Sequence, residues 1–442
     1  MATEKSIGEQ AEVLGKLFEK TITTKFGNKR SPEPLIMSTG ITHLDALLGG
    51  GLISSGPVMV SSTPESGKST FAFQMSSMFH RTFENGIIVY IDIEGSGSSQ
   101  NSNEYKMSRI DTFGLAKSSR FRYEPVVLDI KEFFDLIGQL VEQKLLVEKK
   151  TGREFYVLIV WDSVAATRSS KTDLVESHDR MIGYKARELS FYLEKVLPLL
   201  KFNRIYLLCI DQIRANIQID GPYAQKEKSV GEFKNFQSAS NTFSLLHNIQ
   251  QWLFLSRGKK VTPVDGYGIE GWHLNILTEK NKLAPSQHAI TCMFDMHKGL
   301  DKFWSEYLFL SEMTPSENKI YKNKKMPFPF MIEKATVQKY QLNVFDPNDS
   351  STKYTSGQFY KKDAKKKYSQ DEEFRNWFDF AVKLSAHHRI TMGMFQESDE
   401  QEVIQDTDAQ ETSDIMESIE QEIESPESYE NNNYEQQEES AF

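Results

Sequence analysis

Residues 62–70 read STPESGKST, preceded by the apolar stretch PVMVS and followed by FAFQMSSMF, which has helical spacing. Strand, glycine-bearing loop and helix, in that order, are what a phosphate-binding loop requires. Its backbone N–H groups and the helix N-terminus converge on phosphate oxygens, a lysine adds charge, and the next hydroxyl holds Mg2+. The pattern puts Lys68 on the β and γ phosphates and Ser69 on Mg2+, with Ser62, Thr63, Pro64, Glu65, Ser66, Gly67 and Thr70 completing the loop. Ser62 stands where the pattern has its first glycine. A serine there restricts positive φ but keeps the loop's donors.

Working outward, further apolar strand candidates alternate with helical patterns: IIVYIDIE, YVLIVWDS, IYLLCIDQ, IQQWLFL, HLNILTEK and ITCMFDM. That rhythm predicts an α/β fold with a largely parallel central sheet over residues 35–298. Ligands of such sheets sit beyond the carboxyl ends of the strands, and three of these candidates end in polar residues suited to phosphate chemistry. Glu94, after YIDI, is placed to orient and polarise an attacking water. Asp162, closing a fully apolar strand, is placed to hold Mg2+ through water, and Gln212 to sense a γ-phosphate. The stretches after the last two strands, from Arg168 to Arg180 and from Arg214 to Ser238, are long for loops in a compact domain. Their Arg168, Arg180, Arg214, Lys226, Lys228, Phe233, Lys234 and Phe236 suit a nucleic-acid strand, with cations on phosphates and aromatic groups at bases.

The net charge of −10 is unevenly spread. From Gln396 onward there are 17 acidic residues and no Lys or Arg; removing that −17 leaves +7 on the preceding residues. A basic body suits a polyanionic partner. The acidic tail has too few large apolar residues to offset ordering, so disorder is expected, with solubilisation or competition for the basic surface as its role. Residues 299–395 turn aromatic and basic and are read as a small second domain ending in the amphipathic EEFRNWFDFAVKL. Residues 1–34 are read as a helix, with Val13, Leu14, Leu17 and Phe18 on one face, plus a Pro32/Pro34 linker. The longest apolar runs, FYVLIVW and IYLLCI, have seven and six residues, against roughly 20 for a membrane span. The N-terminus lacks a secretory apolar segment, and Cys209 and Cys292 read as core residues of a reduced, cytoplasmic protein.

Taken in order, the motifs resemble those of the RecA family of recombinases: MSTGITHLDALLGGGL at the core's start, TPESGKST, YIDIE, WDSVAA, IDQIR, and TEKNKLAP at residues 278–285. The resemblance implies a RecA-like ATPase core that uses ATP and Mg2+. It implies Glu94 as catalytic glutamate, Gln212 as γ-phosphate sensor, and Lys280 and Lys282 reaching a neighbouring subunit's ATP. It also implies DNA-binding loops at the two long stretches with Arg187 beside them, a polymerising N-terminal helix, and a helical filament on single-stranded DNA that engages double-stranded DNA. A single-strand-binding protein or loading mediator would be a further partner.

Several positions depart from the family pattern. Asp211 replaces an asparagine, SAS replaces a glycine pair before Asn241, the second loop is long, and no tyrosine has the spacing for adenine stacking, which leaves Tyr105 as substitute. These point to a divergent, phage-encoded member acting in a bacterial host's cytoplasm. Two other readings stay open, a hexameric replicative helicase on the same core and a nonenzymatic ATP-gated DNA-binding mediator.

Overall fold

The computed structural model describes residue 16 and residues 32–63, 65–95, 100–170, 178–215, 236–238, 248–311, 330–346, 349–391 and 396–397. The expected N-terminal helix and acidic tail therefore lie outside the described residues, Lys16 and residues 396–397 apart. The elements are, in chain order, β1 (Ile36–Met37), α1 (Thr42–Leu48), β2 (Leu52–Ile53), β3 (Gly56–Ser62), α2 (Lys68–Thr82), β4 (Gly86–Asp92), α3 (Gln100–Thr112), β5 (Phe121–Glu124), α4 (Ile130–Thr151), β6 (Tyr156–Asp162), α5 (His178–Phe202) and β7 (Tyr206–Ala215). There follow β8 (Phe236–Ser238), β9 (Gln251–Val261), β10 (Gly271–Asn281), β11 (His288–Asp295), β12 (Gly299–Leu300), α6 (Lys302–Ser311), β13 (Phe330–Lys334), β14 (Lys339–Asp346), β15 (Asp349–Thr355), β16 (Phe359–Tyr360), α7 (Ala364–Gln370), α8 (Glu372–Thr391) and β17 (Gln396–Glu397).

The strand candidates are near-continuous apolar runs because both faces of the sheet are covered. On β6, Val157, Ile159 and Trp161 enter one hydrophobic cluster while Leu158 and Val160 enter the other; on β7, Leu207 and Cys209 oppose Tyr206, Leu208 and Ile210. That is the two-residue period of a strand read out on two cores. The first core is closed by α4 and α5. Helix α4 begins at a capping box, Asp129 accepting from the Glu132 N–H (2.8 Å) and Glu132 accepting from the Asp129 N–H (2.9 Å). It buries Ile130, Phe133, Phe134, Ile137 and Val141 at helical spacing.

On the other face, α2 packs on the strands with α1, and the chain after Leu300 adds α6 and α8. Phe303 through Leu310 of α6 are all buried, as an all-round apolar helix demands. Its one carboxylate, Glu306, accepts from the N–H (3.1 Å) and hydroxyl (2.7 Å) of Thr42. The His43 ring stacks on Phe309 with centroids 4.4 Å apart, and the Arg389 guanidinium lies 4.0 Å from the centre of the Phe309 ring.

Six adjacent strands, in the order β9-β3-β7-β6-β4-β5, run parallel. Beyond β9 the sheet continues antiparallel through β10, β11 and β12. The segments between β9, β10 and β11 are too short to carry the crossover of a dozen or more residues that a parallel neighbour needs. Strand β5 was not expected, since FRYE is short and half charged; it pairs with β4 at the sheet edge. A separate antiparallel sheet holds β13, β14, β15 and β16. Among the described residues no helix is long and apolar enough to cross a membrane.

Candidate functional site

Helix α2 starts at Lys68 because Gly67, its N-cap, takes φ 94°, a left-handed turn that a side chain disfavours. A Cβ there would also meet the Phe294 ring at 2.6 Å, so the loop lies against β11 with no spare room. Glu65 takes φ 59°, and Thr63 and Ser66 pair their hydroxyls at 2.8 Å. Pro64 lies outside the described residues. The Lys68 ammonium folds onto the loop's own oxygens, donating to Ser62 O (3.3 Å), Ser62 Oγ (2.9 Å) and Thr63 O (3.0 Å). Ser62 therefore does more than replace a glycine, since its hydroxyl is one of the three acceptors. Burial lowers the pKa of Lys68, opposed by the charges of Asp162, Glu94 and Asp211.

The registers of the parallel strands bring the polar ends to one level: Ser62 opposite Gln212, Asp162 opposite Ile210, and Asp92 opposite Asp162. Asp162 accepts from Ser69 Oγ (3.0 Å) and from the Tyr90 hydroxyl (2.6 Å). Burial pushes its carboxyl up to about 6, and the Tyr90 hydrogen bond opposes that. Gln212 donates through Nε2 to Glu94 Oε1 at 2.6 Å. Lys68, Ser69, Glu94, Asp162 and Gln212 thus meet at one edge. Among the described residues no cluster of three or more His, Cys, Asp or Glu side chains makes a self-contained metal cage. The Ser69 and Asp162 oxygens instead fit a Mg2+ that completes its octahedron from phosphate and water.

Sequence reasoning missed the residues behind this edge. Asp92 accepts from the Gly95 N–H (2.6 Å), the Lys106 ammonium (2.5 Å) and the Tyr123 hydroxyl. Arg109 donates to Thr70 Oγ1 and to the Met296 carbonyl. The aspartate within YIDIE was a signal; its partners on α3 and β5 have none, because only folding brings them near. Tyr105 sits on α3, but its side chain lies outside the described residues.

Of the residues proposed for DNA, Arg168 and Arg187 are exposed. Beside them, Glu188 accepts from Ser169 Oγ (2.5 Å) and Ser170 N (3.2 Å), and Lys185 donates to Val164 O (3.2 Å) and Ala165 O (3.0 Å). Arg180 lies on α5 and not in a loop. Arg214 lies on β7 and Phe236 on β8, which pairs back antiparallel, so both belong to a hairpin extending past Gln212. The side chains of these three, and the whole of Lys226, Lys228, Phe233 and Lys234, lie outside the described residues.

Lys280, on β10, and Lys282, just after it, lie two strands away from β3. The Lys282 N–H donates to Gln250 O (3.0 Å), and the Gln250 N–H to Pro57 O (2.9 Å), which sets Lys282 level with the start of β3, while Lys280 pairs with Trp252, which is level with Met59 in the middle of that strand. Five strand residues, about 16 Å, separate the level of Lys282 from Ser62, and three, about 10 Å, separate that of Lys280, with β9 lying between β10 and β3, so neither sits at the glycine loop of its own chain.

A strand, glycine loop and helix at the centre of a parallel sheet, with Asp162 and Asp92 closing β6 and β4 and an antiparallel extension beyond β9, define a RecA-like α/β core. Comparison with known proteins agrees. RecA of Ureaplasma parvum serovar 3 is 26% identical over 264 residues, 60% of this chain and 68% of that protein. RecA of Sulfurimonas denitrificans is 29% identical over 230 residues, 52% of this chain and 60% of that protein. The DNA repair and recombination protein RadB of Pyrococcus horikoshii is 30% identical over 140 residues, 32% of this chain and 55% of that protein. No protein-family model matches the chain. The similarities support a RecA-family relationship, at low identity and over part of each protein.

Proposed function

We propose that this protein is an ATP-dependent DNA strand-exchange recombinase that forms helical filaments on single-stranded DNA. The observation that carries the reading is the hydrogen bond from Gln212 to Glu94 at 2.6 Å, at the root of the β7–β8 hairpin and beside the Ser69–Asp162 pair. One contact joins the group suited to orient water, the group suited to sense a γ-phosphate, and the base of a segment suited to DNA. The sequence similarity to RecA and RadB supports the same reading.

ATP binds with its phosphates on the loop, where Lys68 exchanges loop oxygens for phosphate oxygens and Ser69 and Asp162 hold Mg2+. Mg2+, when bound, neutralises phosphate charge. Lys280 and Lys282, remote from their own loop, complete the site of the adjacent subunit, so ATP favours assembly by bridging two chains. The γ-phosphate draws Gln212 from Glu94, ordering the hairpin for DNA, and Glu94 then orients the water whose attack ends that state. The stretches from Arg168 to Arg180 and from Arg214 to Ser238, with Arg187 beside them, contact DNA. The divergent loop suggests a phage-encoded protein at work in a bacterial cytoplasm, with a single-strand-binding protein or loading mediator as partner.

Hydrolysis measured with and without single-stranded DNA, with the same samples imaged by negative-stain microscopy, tests the proposal. DNA-stimulated turnover on helical filaments is expected; closed rings would indicate a helicase, and no turnover a nonenzymatic mediator. Glu94→Gln should lower kcat by at least about 100-fold and leave ATP-dependent DNA binding intact. Loss of DNA binding with turnover would remove the role given to Glu94.

A further inference from the structure

We propose that Lys106 and Asp92 are positioning residues for Glu94, holding from behind the turn that presents it, with Tyr123 as a third member. The inference rests on the reading of Glu94 as the group that orients the attacking water.

Glu94 is exposed, and its side chain is tethered to Gln212. What places it is the turn formed by residues 92–95. On one side the N–H groups of Ile93 and Glu94 donate to Asp162 O, at 2.7 and 3.3 Å. On the other, Asp92 Oδ1 accepts the Gly95 N–H at 2.6 Å and closes the turn. The remaining oxygen of Asp92 accepts the Lys106 ammonium at 2.5 Å and the Tyr123 hydroxyl. Asp92 is 2% exposed and Lys106 half-buried, so the ion pair is largely shielded from water. Such a charge-assisted pair is shorter and more rigid than a neutral hydrogen bond.

Gly95 is pressed against this pair. A Cβ at that position would lie 2.2 Å from Lys106 Nζ and 2.3 Å from Asp92 Oδ2. Asp92, Glu94 and Asp162 also bring three carboxylates to neighbouring strand ends, and Lys106 is the cation bonded to the innermost of them. Without it, Asp92 would be a buried anion lacking its counter-charge, and it would no longer hold the turn in one geometry. One helical turn along α3, Arg109 bonds Thr70 of α2. A single helix therefore ties the Glu94 turn to the helix that begins at Lys68, so the water-orienting group and the phosphate loop keep a common frame.

The test is steady-state ATP hydrolysis by the full chain with single-stranded DNA, comparing Lys106→Met, Lys106→Arg, Asp92→Asn and Tyr123→Phe, with Glu94→Gln alongside. Lys106→Met should lose at least about tenfold in kcat while KM for ATP stays within about threefold, since a misplaced orienting group costs turnover and not ground-state binding. Lys106→Arg should recover most of the loss, because a guanidinium reaches the same carboxylate, and Tyr123→Phe should lose only about two- to threefold. If a thermal melt shows Lys106→Met to be unfolded, Asp92→Asn carries the same expectation, since it keeps an acceptor for Gly95 and removes the charge. A rise in KM with kcat unchanged would put Lys106 on the nucleotide and overturn the inference, as would wild-type kinetics. Wild-type turnover by Glu94→Gln would instead bring down the underlying reading of Glu94, and the inference with it.

Discussion

Trp161 and Asp162 are consecutive residues of β6 and belong to two different regions of the molecule. Trp161 is fully buried, stacked on Phe133 with centroids 4.0 Å apart, and its Nε1 donates to Thr167 Oγ1 at 2.8 Å. Asp162 is buried too, but at the strand's end, where it gathers hydroxyls from α2 and β4 and the backbone of the Glu94 turn. Along the strand interiors burial is repaid by apolar contact, so stability resides there. At the strand ends burial works against ionised groups, so those groups persist for another reason, which we read as chemistry.

The sharpest way to break the comparison is to change both neighbours. Trp161→Ala should cost about 3–5 kcal/mol, a cavity plus a lost aromatic stack, measured by denaturant unfolding. Asp162→Asn should leave stability at pH 8 unchanged or higher, while hydrolysis falls at least about 100-fold. The sign follows from burial. A carboxyl whose folded pKa is raised from 3.8 to about 6 favours folding fully below 3.8 and loses that contribution as pH rises through 6. The amide has no such loss. A large destabilisation by Asp162→Asn would merge the two regions.

A smaller effect concerns a buried titratable group away from the strand ends. His43 is held neutral, its pKa lowered from 6.5 to about 3 by burial and next by Arg389. The unfolded chain therefore binds the extra proton between pH 6.5 and 3, and stability falls as pH drops through that window, by about 2 kcal/mol between pH 7 and 5. His43→Leu should flatten that part of the pH profile, as read by unfolding at several pH values; an unchanged slope would mean that His43 is not the group responsible. The smallest effect is at the loop. Ser62→Gly removes one of three oxygens around the Lys68 ammonium and should shift KM for ATP by less than about fivefold, with stability nearly unchanged. A collapse in binding would show that the hydroxyl is essential to the loop.

Much of this architecture was legible in the chain. The loop at residues 62–70 declared itself because strand, glycine turn and helix are consecutive, so their geometry is local. Glu94, Asp162 and Gln212 were found because each follows an apolar run, and a strand's end is visible where the run stops. Less legible were β5, whose four residues are half charged, and the reversal of β10 and β11, which depends on loop lengths more than on apolar pattern. Arg180, Arg214 and Phe236 were read as loop residues, although a helix and a hairpin extend further than composition suggested.

What the sequence by itself determined is the order of elements, the two-sided burial of the strands and the strand, glycine turn and helix at residues 62–70, because periodicity and turn chemistry act between near neighbours. What only the tertiary structure decided is which polar ends meet. Ser69 reaches Asp162 across 93 residues and Gln212 reaches Glu94 across 118. Both contacts exist because β3, β7, β6 and β4 lie side by side in an order different from their order in the chain. The same order places Lys106 on Asp92 and leaves Lys280 and Lys282 two strands away from β3, since a contact between distant segments depends on strand packing and leaves no periodicity in the sequence.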